Sequence, residues 1–207
     1  RSRVPLCGGC AVKRLALFVA TALALAACSN RAQPSSDSPA MATSGPSIYP
    51  LAVSLYDEHG APIGLDVYRG HPVIVSMFYG SCPVACPLIV SHVKDVESRL
   101  PADARADLRV VLVSFDPARD TPEALSAIAQ KRGLDLSRWT LATGGDDDDR
   151  QVDAVLGVSY RAIPGGAFSH DSVITVLDRE GRPIARDDDP SADVEPLAQA
   201  VARAHRR

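Results

Sequence analysis

The sequence has no excess of one charge sign: 22 Lys and Arg stand against 25 Asp and Glu, a formal charge of -3. That balance supplies no basic face for a nucleic-acid backbone. There is no internal repeat at solenoid or propeller periods. There is also no apolar run long enough to cross a bilayer core of ~30 Å. The N-terminal run Leu15 to Ala27 is broken by Thr21 and is too short. Cysteine is scarce, with five in 207 residues. What remains is an ordinary globular composition, 46% hydrophobic and 23% charged, in a chain long enough for one domain with a real core and some additional sequence.

The additional sequence is N-terminal. Lys13 and Arg14 precede the apolar run, which ends in Leu25-Ala26-Ala27-Cys28. Basic residues, a short apolar core and small residues before a cut are the marks of a secretory signal, and these last four residues look like a bacterial lipobox. Residues 1–27 are therefore expected to be a lipoprotein signal peptide, with Cys28 lipidated. Anchored to the membrane of a bacterial cell envelope, the protein would face the periplasm. Cleavage would take the formal charge from -3 to -7, because four basic residues and no acids leave. Cys7 and Cys10 form a CxxC that would be discarded with the signal. Residues 28–47, rich in Ser, Pro and Ala, cannot bury enough surface to order themselves and read as a tether. The folded domain is expected over residues 48–207.

Within that domain, "AVSLYDEHGAPIG" predicts a short hairpin turning at Asp57 to Gly60. "HPVIVSMFY" is a continuous β-branched run suited to a central strand. Pro87 to Leu100 predicts a helix with Ile89, Val93, Val96 and Leu100 on one stripe. "LRVVLVSFD" is a second buried strand and "WTLAT" a third. Between them lies a helix with Thr121 as N-cap, Pro122 in its first turn and Gly133 as terminator. A short helix over Asp149 to Leu156, a late hairpin turning at Glu180-Gly181, and a helix from Asp193 complete the chain. The run Asp146 to Asp149 lacks the spaced oxygen ligands of a calcium loop and reads as a solvated helix N-terminus. Alternating strands and helices predict an α/β domain, a central mixed sheet flanked by helices with an N-terminal β-hairpin.

Chemistry concentrates in "FYGSCPVACPLIV". Pro87 is tolerated at a first helical position, so the helix is expected to begin there with Cys86 near its cap. The helix dipole would then favour thiolate at Cys86. A cysteine pair where the first core strand meets its helix is the thioredoxin arrangement. A purely structural disulfide closing so short a loop would restrain the unfolded chain little. The spacing is CxxxC, one residue wider than the CxxC of thioredoxins. A redox pair and a soft-metal site both remain open, since two thiolates select Cu(I), zinc or iron–sulfur chemistry and an imidazole could complete a copper site. Of the five histidines, His59, His71, His92 and His205 read as surface residues. His71 lies ~25 Å away at the far end of its strand. His92 is ~9 Å further along the helix and turned away from Cys86. His170 differs, because it follows the loop "IPGGAFS" and enters the strand "SVITVL", where a sheet-end loop could carry it over the cysteines.

"CPVACP" after an apolar strand, "SFDPARDTPEAL" about thirty residues later, and "SHDSVITVLDREGRP" late in the chain together resemble the SCO/SenC family of copper proteins, from about Leu51 to the last helix. The resemblance implies a thioredoxin-like fold, copper as Cu(I) or Cu(II), and the ligands Cys82, Cys86 and His170. It also implies a metallochaperone role in maturing the copper centre of cytochrome c oxidase, with the oxidase copper subunit or another periplasmic copper or thiol protein as partner. Some members act mainly as thiol–disulfide oxidoreductases on target cysteines, in which case Cys82 and Cys86 would be the catalytic pair. Asp116, in the "DPxRDT" motif, is a candidate to support the ligands from behind, or else to close a turn with Asp120. The family often carries Asp where Val84 stands, and Asp before the ligand His where Ser169 stands; here the acid, Asp171, follows it.

Overall fold

The structure, a computed structural model, describes residues 45–82, 85–164 and 167–207. The signal peptide, Cys7, Cys10, Cys28 and most of the expected tether lie outside the described residues, as do Val84 and Pro83. No described helix is long and apolar enough to cross a membrane.

The N-terminal hairpin forms where the turn residues require it. Strands β1 (Leu55–Tyr56) and β2 (Pro62–Ile63) pair antiparallel. The turn closes through the Gly60 N–H donating to the Asp57 carbonyl at 2.9 Å, while the Asp57 carboxylate accepts from His59 and Ala61. A 3-10 turn (Leu65–Tyr68) follows. Strand β3 (Val73–Phe78) is buried along its whole length, the consequence of a β-branched apolar run covered on both faces. Helix α1 (Ala85–Arg99) buries Ile89, Val93, Val96 and Leu100 beneath it, and a short α2 (Ala102–Asp107) leads into β4 (Arg109–Ser114).

Helix α3 (Pro122–Arg132) starts as its caps dictate, with the Thr121 hydroxyl accepting from the Ala124 N–H. It stops at Gly133, whose φ of 57° suits a residue without a side chain. Strand β5 (Trp139–Thr143) and helix α4 (Asp146–Leu156) come next. A hairpin, β6 (Tyr160–Ile163) with β7 (Ala167–His170), then precedes β8 (Ile174–Leu177), β9 (Pro183–Asp187) and α5 (Glu195–His205).

Seven strands form one mixed sheet in the order β2-β1-β5-β4-β3-β8-β9. Strands β3, β4 and β5 run parallel, and β8 and β9 continue the sheet antiparallel. Residues of α1 and α3, Val90 and Ile128 among them, pack over Phe78, Leu112 and Leu141 on one face; α5 lies beside α1. Ile48, Tyr49, Leu65 and Tyr68 cover the other face over Val73, Val75, Val111 and Leu177. The expected α/β architecture is thus observed. Its added piece is the β6–β7 hairpin, which stands outside the main sheet; the sequence reading carried His170 straight from a loop into β8.

Two expectations about polar residues are corrected. His92 is not a surface residue: it is buried, with Nε2 3.2 Å from the Asp187 carboxylate, and that neighbouring acid raises its pKa. Nor do all four aspartates solvate the start of α4. The helix begins three residues earlier than expected, which turns Asp149 and Asp153, one turn apart, into the interior. Neither oxygen of Asp149 has a hydrogen-bond partner of ordinary geometry among the described residues. Burial pushes both carboxyls up to about 7.

For an acid, a folded-state pKa above the unfolded value means that the native state binds the extra proton. Stability is then greatest below the unfolded pKa and is lost as pH rises through about 7. Thermal melts from pH 8 to pH 5.5 are expected to show a rising midpoint, and the double variant Asp149→Asn/Asp153→Asn to flatten that rise. A wild-type midpoint that falls over this range would show the two carboxyls to be ionised at no cost.

Candidate metal centre

Strand β3 delivers the chain to its C-terminal end at Phe78, and the backbone then turns sharply under Tyr79. The Tyr79 carbonyl accepts the Cys82 N–H at 3.1 Å and the Cys86 thiol at 3.0 Å, so one oxygen gathers both cysteines. Both are buried, and no disulfide joins them. The Cys82 and Cys86 side chains lie within hydrogen-bonding reach of each other.

Helix α1 begins at Ala85 rather than Pro87, so Cys86 sits inside the first turn and faces inward. This reverses the expected thiolate at Cys86. Its sulfur is removed from water and points at a carbonyl, and burial pushes the thiol up to about 12. Desolvation outweighs the helix dipole, which acts best on a group exposed at the helix end.

The turn that carries Cys82 is held from β4 and α3. The Asp120 carboxylate accepts the Gly80 N–H at 2.7 Å and the Ser114 hydroxyl through the same oxygen. A Cβ at Gly80 would come within 2.5 Å of both Asp120 and Ile128, so only glycine lets the turn approach this closely. Burial raises the Asp120 pKa while these hydrogen bonds pull the other way. Asp120 is therefore a positioning residue for the cysteine turn, whereas the sequence had offered it only as a cap. Asp116 does close a turn, its carbonyl accepting the Arg119 and Asp120 N–H groups. Its carboxylate pairs with Arg119, whose guanidinium lies 5.6 Å above the Phe168 ring. Asp116 thus acts on the hairpin through Arg119.

His170 ends β7 on that hairpin, paired with Tyr160 across it. Rings surround it. Tyr79 stands edge-on at 5.5 Å between centroids and Phe115 lies at 5.2 Å. Phe115 also stacks on Tyr160 at 4.5 Å and meets Phe168 at 5.3 Å. The chain has only one Trp, five Tyr and four Phe, yet four of those ten gather here. The Tyr79 hydroxyl lies between the Cys82 side chain and the Phe168 backbone, so a single phenol touches the cysteine turn and the histidine hairpin. The His170 Nδ1 is 3.0 Å from the Asp171 carbonyl. A carbonyl only accepts, so Nδ1 donates here, which leaves Nε2 as the ring atom a metal would use. The Asp171 side chain meanwhile accepts the Ser159 N–H and ties down the base of the hairpin.

The structure brings Cys82 and Cys86 together at the Tyr79 carbonyl and packs the His170 ring against the Tyr79 ring. The three do not close into a finished three-ligand cage among the described residues. The donor set nonetheless suits a soft ion: two sulfurs and one neutral imidazole nitrogen fit Cu(I) and Cu(II) better than a hard cation. His59 is exposed on its turn, and His71 and His205 both bond Asp107 at the opposite end of the sheet. Sequence reasoning missed Tyr79, Phe115, Phe168 and the hairpin. One signal was available, since each of the three motifs carries an aromatic residue beside its chemical group: "FYGSC", "SFDP" and "AFSH".

The family model described as SCO1/SenC matches residues 43–206. The Bacillus subtilis SCO1 protein homolog is 25% identical over 118 residues, 57% of this chain and 60% of that protein. Matched segments span from 36% to 66% of the length of the curated relatives. Among solved structures, Arabidopsis thaliana ScoI with copper bound aligns with a TM-score of 0.64 at 19% identity, covering 79% of this chain and 98% of that one. BsSco, a Sco-family cytochrome c oxidase assembly protein with an identified disulfide switch, aligns at 0.63 and 19% identity, covering 73% and 90%. At such identities the likeness establishes the thioredoxin-like fold.

Proposed function

The chain belongs to the SCO1/SenC family, and on that premise we propose that it is a copper metallochaperone serving maturation of the copper centre of cytochrome c oxidase. Copper is its cargo, held by Cys82, Cys86 and His170. The observation that supports this reading is the Tyr79 carbonyl drawing both cysteines to one point while the ring of the same residue contacts the His170 imidazole. The copper-bound ScoI relative supports the identity of the cargo. Binding displaces the thiol protons, because sulfur ligates as thiolate. The imidazole supports the cupric state, and the two sulfurs suit the cuprous one. Oxidation of the pair to a disulfide, with loss of two protons and two electrons to an acceptor thiol–disulfide couple, would remove the sulfur ligands and release the ion. The recipient is the copper subunit of the oxidase. Lipidation at Cys28 would hold the domain on the periplasmic side of the membrane.

His170→Ala tests the third ligand. Cu(II) titration of the reduced protein is expected to show affinity lowered by at least about tenfold with altered absorption, while Cu(I), carried mainly by sulfur, changes less. Unchanged Cu(II) affinity and spectrum would remove His170 from the site.

A second reading is favoured by the adjacency of the two thiols and by the disulfide switch of BsSco. In it the protein is a thiol–disulfide oxidoreductase that reduces target cysteines, ending as a Cys82–Cys86 disulfide while the target gains two electrons and two protons. Turnover on a disulfide substrate that survives chelation and His170→Ala would select this reading over the first.

A further inference from the structure

Apart from the cysteine end, the feature with most unspent chemistry is an open cleft of about 630 Å³, lined by Arg69, Gly70, Arg179, Glu180, His205, Arg206 and Arg207. The register of the sheet places it. Val73 at the start of β3 pairs with Leu177 at the end of β8, so Arg69 and Arg179 lie at the end of the sheet opposite Cys82. Arg179 forms the floor. Its guanidinium donates to the Asp107 carboxylate at 2.7 Å, to the His205 carbonyl at 2.8 Å, to the Ala204 carbonyl at 3.3 Å and to the Gly70 carbonyl. Those bonds occupy its donors and lock the walls together.

The other three arginines are exposed and pair with no carboxylate among the described residues. Arg69 rests its guanidinium over the Tyr49 ring at 5.1 Å. The lining's one acid, Glu180, faces Arg182 at 3.8 Å. The cleft therefore offers three planar guanidinium groups that pair with no carboxylate among the described residues, around a rigid base, a donor geometry suited to phosphate oxygens.

A cluster of acids lies at the other end. The first turn of α4, Asp146 to Asp149, follows the C-terminal end of β5. Asp187 pairs with Ile174, which in turn pairs with Ser76 near the end of β3. Asp188, Asp189 and Asp171 belong to the same end. The pole that holds the cysteines thus carries a cluster of acids beside Arg119 and Arg186, and the opposite pole carries the arginine cluster beside Asp178 and Glu180. The chain enters at the arginine pole: the Ile48 N–H donates to the Gly181 carbonyl at 2.9 Å, and the Ser47 hydroxyl donates to the Glu180 carbonyl beside the cleft.

We propose that the Arg69–Arg206–Arg207 cleft binds the phosphate of anionic phospholipid headgroups, seating the domain on the bilayer with the cysteine pole turned outward. The inference rests on the lipid-anchored reading only for the presence of a bilayer. Each arginine near an anionic surface is worth about 1 kcal/mol, screened within a Debye length, so a few of them suffice for a tethered domain. The acid cluster at the cysteine pole would be repelled by the same surface, which favours this orientation.

The test is co-sedimentation of the mature chain, residues 28–207, carrying Cys28→Ser, so that neither the signal peptide nor an acyl chain contributes. Vesicles of phosphatidylcholine alone are compared with vesicles containing 30 mol% phosphatidylglycerol. Phosphatidylglycerol is expected to raise partitioning, and Arg69→Glu/Arg206→Glu to cut that increase by at least about 30-fold, the product of two such charges. Arg150→Glu/Arg161→Glu, the same change in net charge elsewhere, should cut it less than about threefold. Equal partitioning into both vesicles, or equal losses in the two variants, would overturn the proposal. So would stripping of the protein by inorganic phosphate beyond the effect of chloride at equal ionic strength, because the cleft would then be a site for free phosphate. Mass spectrometry of the N-terminal peptide from cells reports separately on lipidation of Cys28, so failure of that reading is distinguishable from failure of this one.

Discussion

Cys86→Ser should abolish stoichiometric copper binding at micromolar metal while leaving the fold intact. The serine hydroxyl can still donate to the Tyr79 carbonyl that now accepts the thiol at 3.0 Å, and it fits the same buried space. It cannot replace sulfur as a ligand, because a hydroxyl is hard and does not ionise near neutral pH, whereas the cuprous ion is soft. Loss of a group that merely orients a ligand already costs 10–100-fold, so removing a ligand should cost at least about 100-fold. Competition with a Cu(I) chelator measures the affinity, and a thermal melt of the same sample checks the fold. Wild-type affinity in the variant would place the metal away from this thiol. Reduced affinity with a collapsed melt would show only that the turn had been lost, and Cys82→Ser, altering the other sulfur, then decides.

Phe115→Ala should be the most damaging single change near the site. Phe115 is buried at the centre of the ring cluster, in contact with Tyr79, Tyr160, Phe168 and His170. Truncating a buried aromatic costs about 3–5 kcal/mol. For a domain of this size each kcal/mol moves the melting midpoint by about 2–4 °C, so a fall of roughly 6–20 °C is expected.

The consequence for function is separable from the loss of stability. With its packing gone, the β6–β7 hairpin no longer holds the imidazole against the Tyr79 ring. Cu(II) affinity should therefore fall to the level of His170→Ala, and the double variant should be no weaker than either single one. Additive losses would mean that Phe115 and His170 act independently. Phe115→Leu, which keeps most of the volume, should recover most of both quantities.

The alternating apolar runs located β3, β4 and β5, and the caps at Thr121 and Gly133 bounded α3 to the residue. These features are local: a strand covered on both faces has to be apolar throughout, and a capped helix carries its own stop signals. The cysteine pair and the candidacy of His170 were legible for the same reason, since residue type and neighbours within a few positions carry that chemistry. The inward turn of Asp149, the burial of His92 against Asp187, and the protonated state of Cys86 were not. Each depends on which element lies opposite, and a helix that starts two or three residues earlier rotates every side chain after it.

The sequence by itself determined the strand-and-helix alternation, the three motifs and the residue types able to take a soft metal. Only the tertiary structure decided that Tyr79 joins the cysteine turn to the histidine hairpin, that Asp120 reaches back forty positions to hold Gly80, and that Arg69, Arg206 and Arg207 gather around one cleft. The physical reason is range. Hydrophobic period and capping act within a turn or two of backbone, whereas ring packing, desolvation and the field of a charge depend on distance through space, which is set only once the sheet has its register.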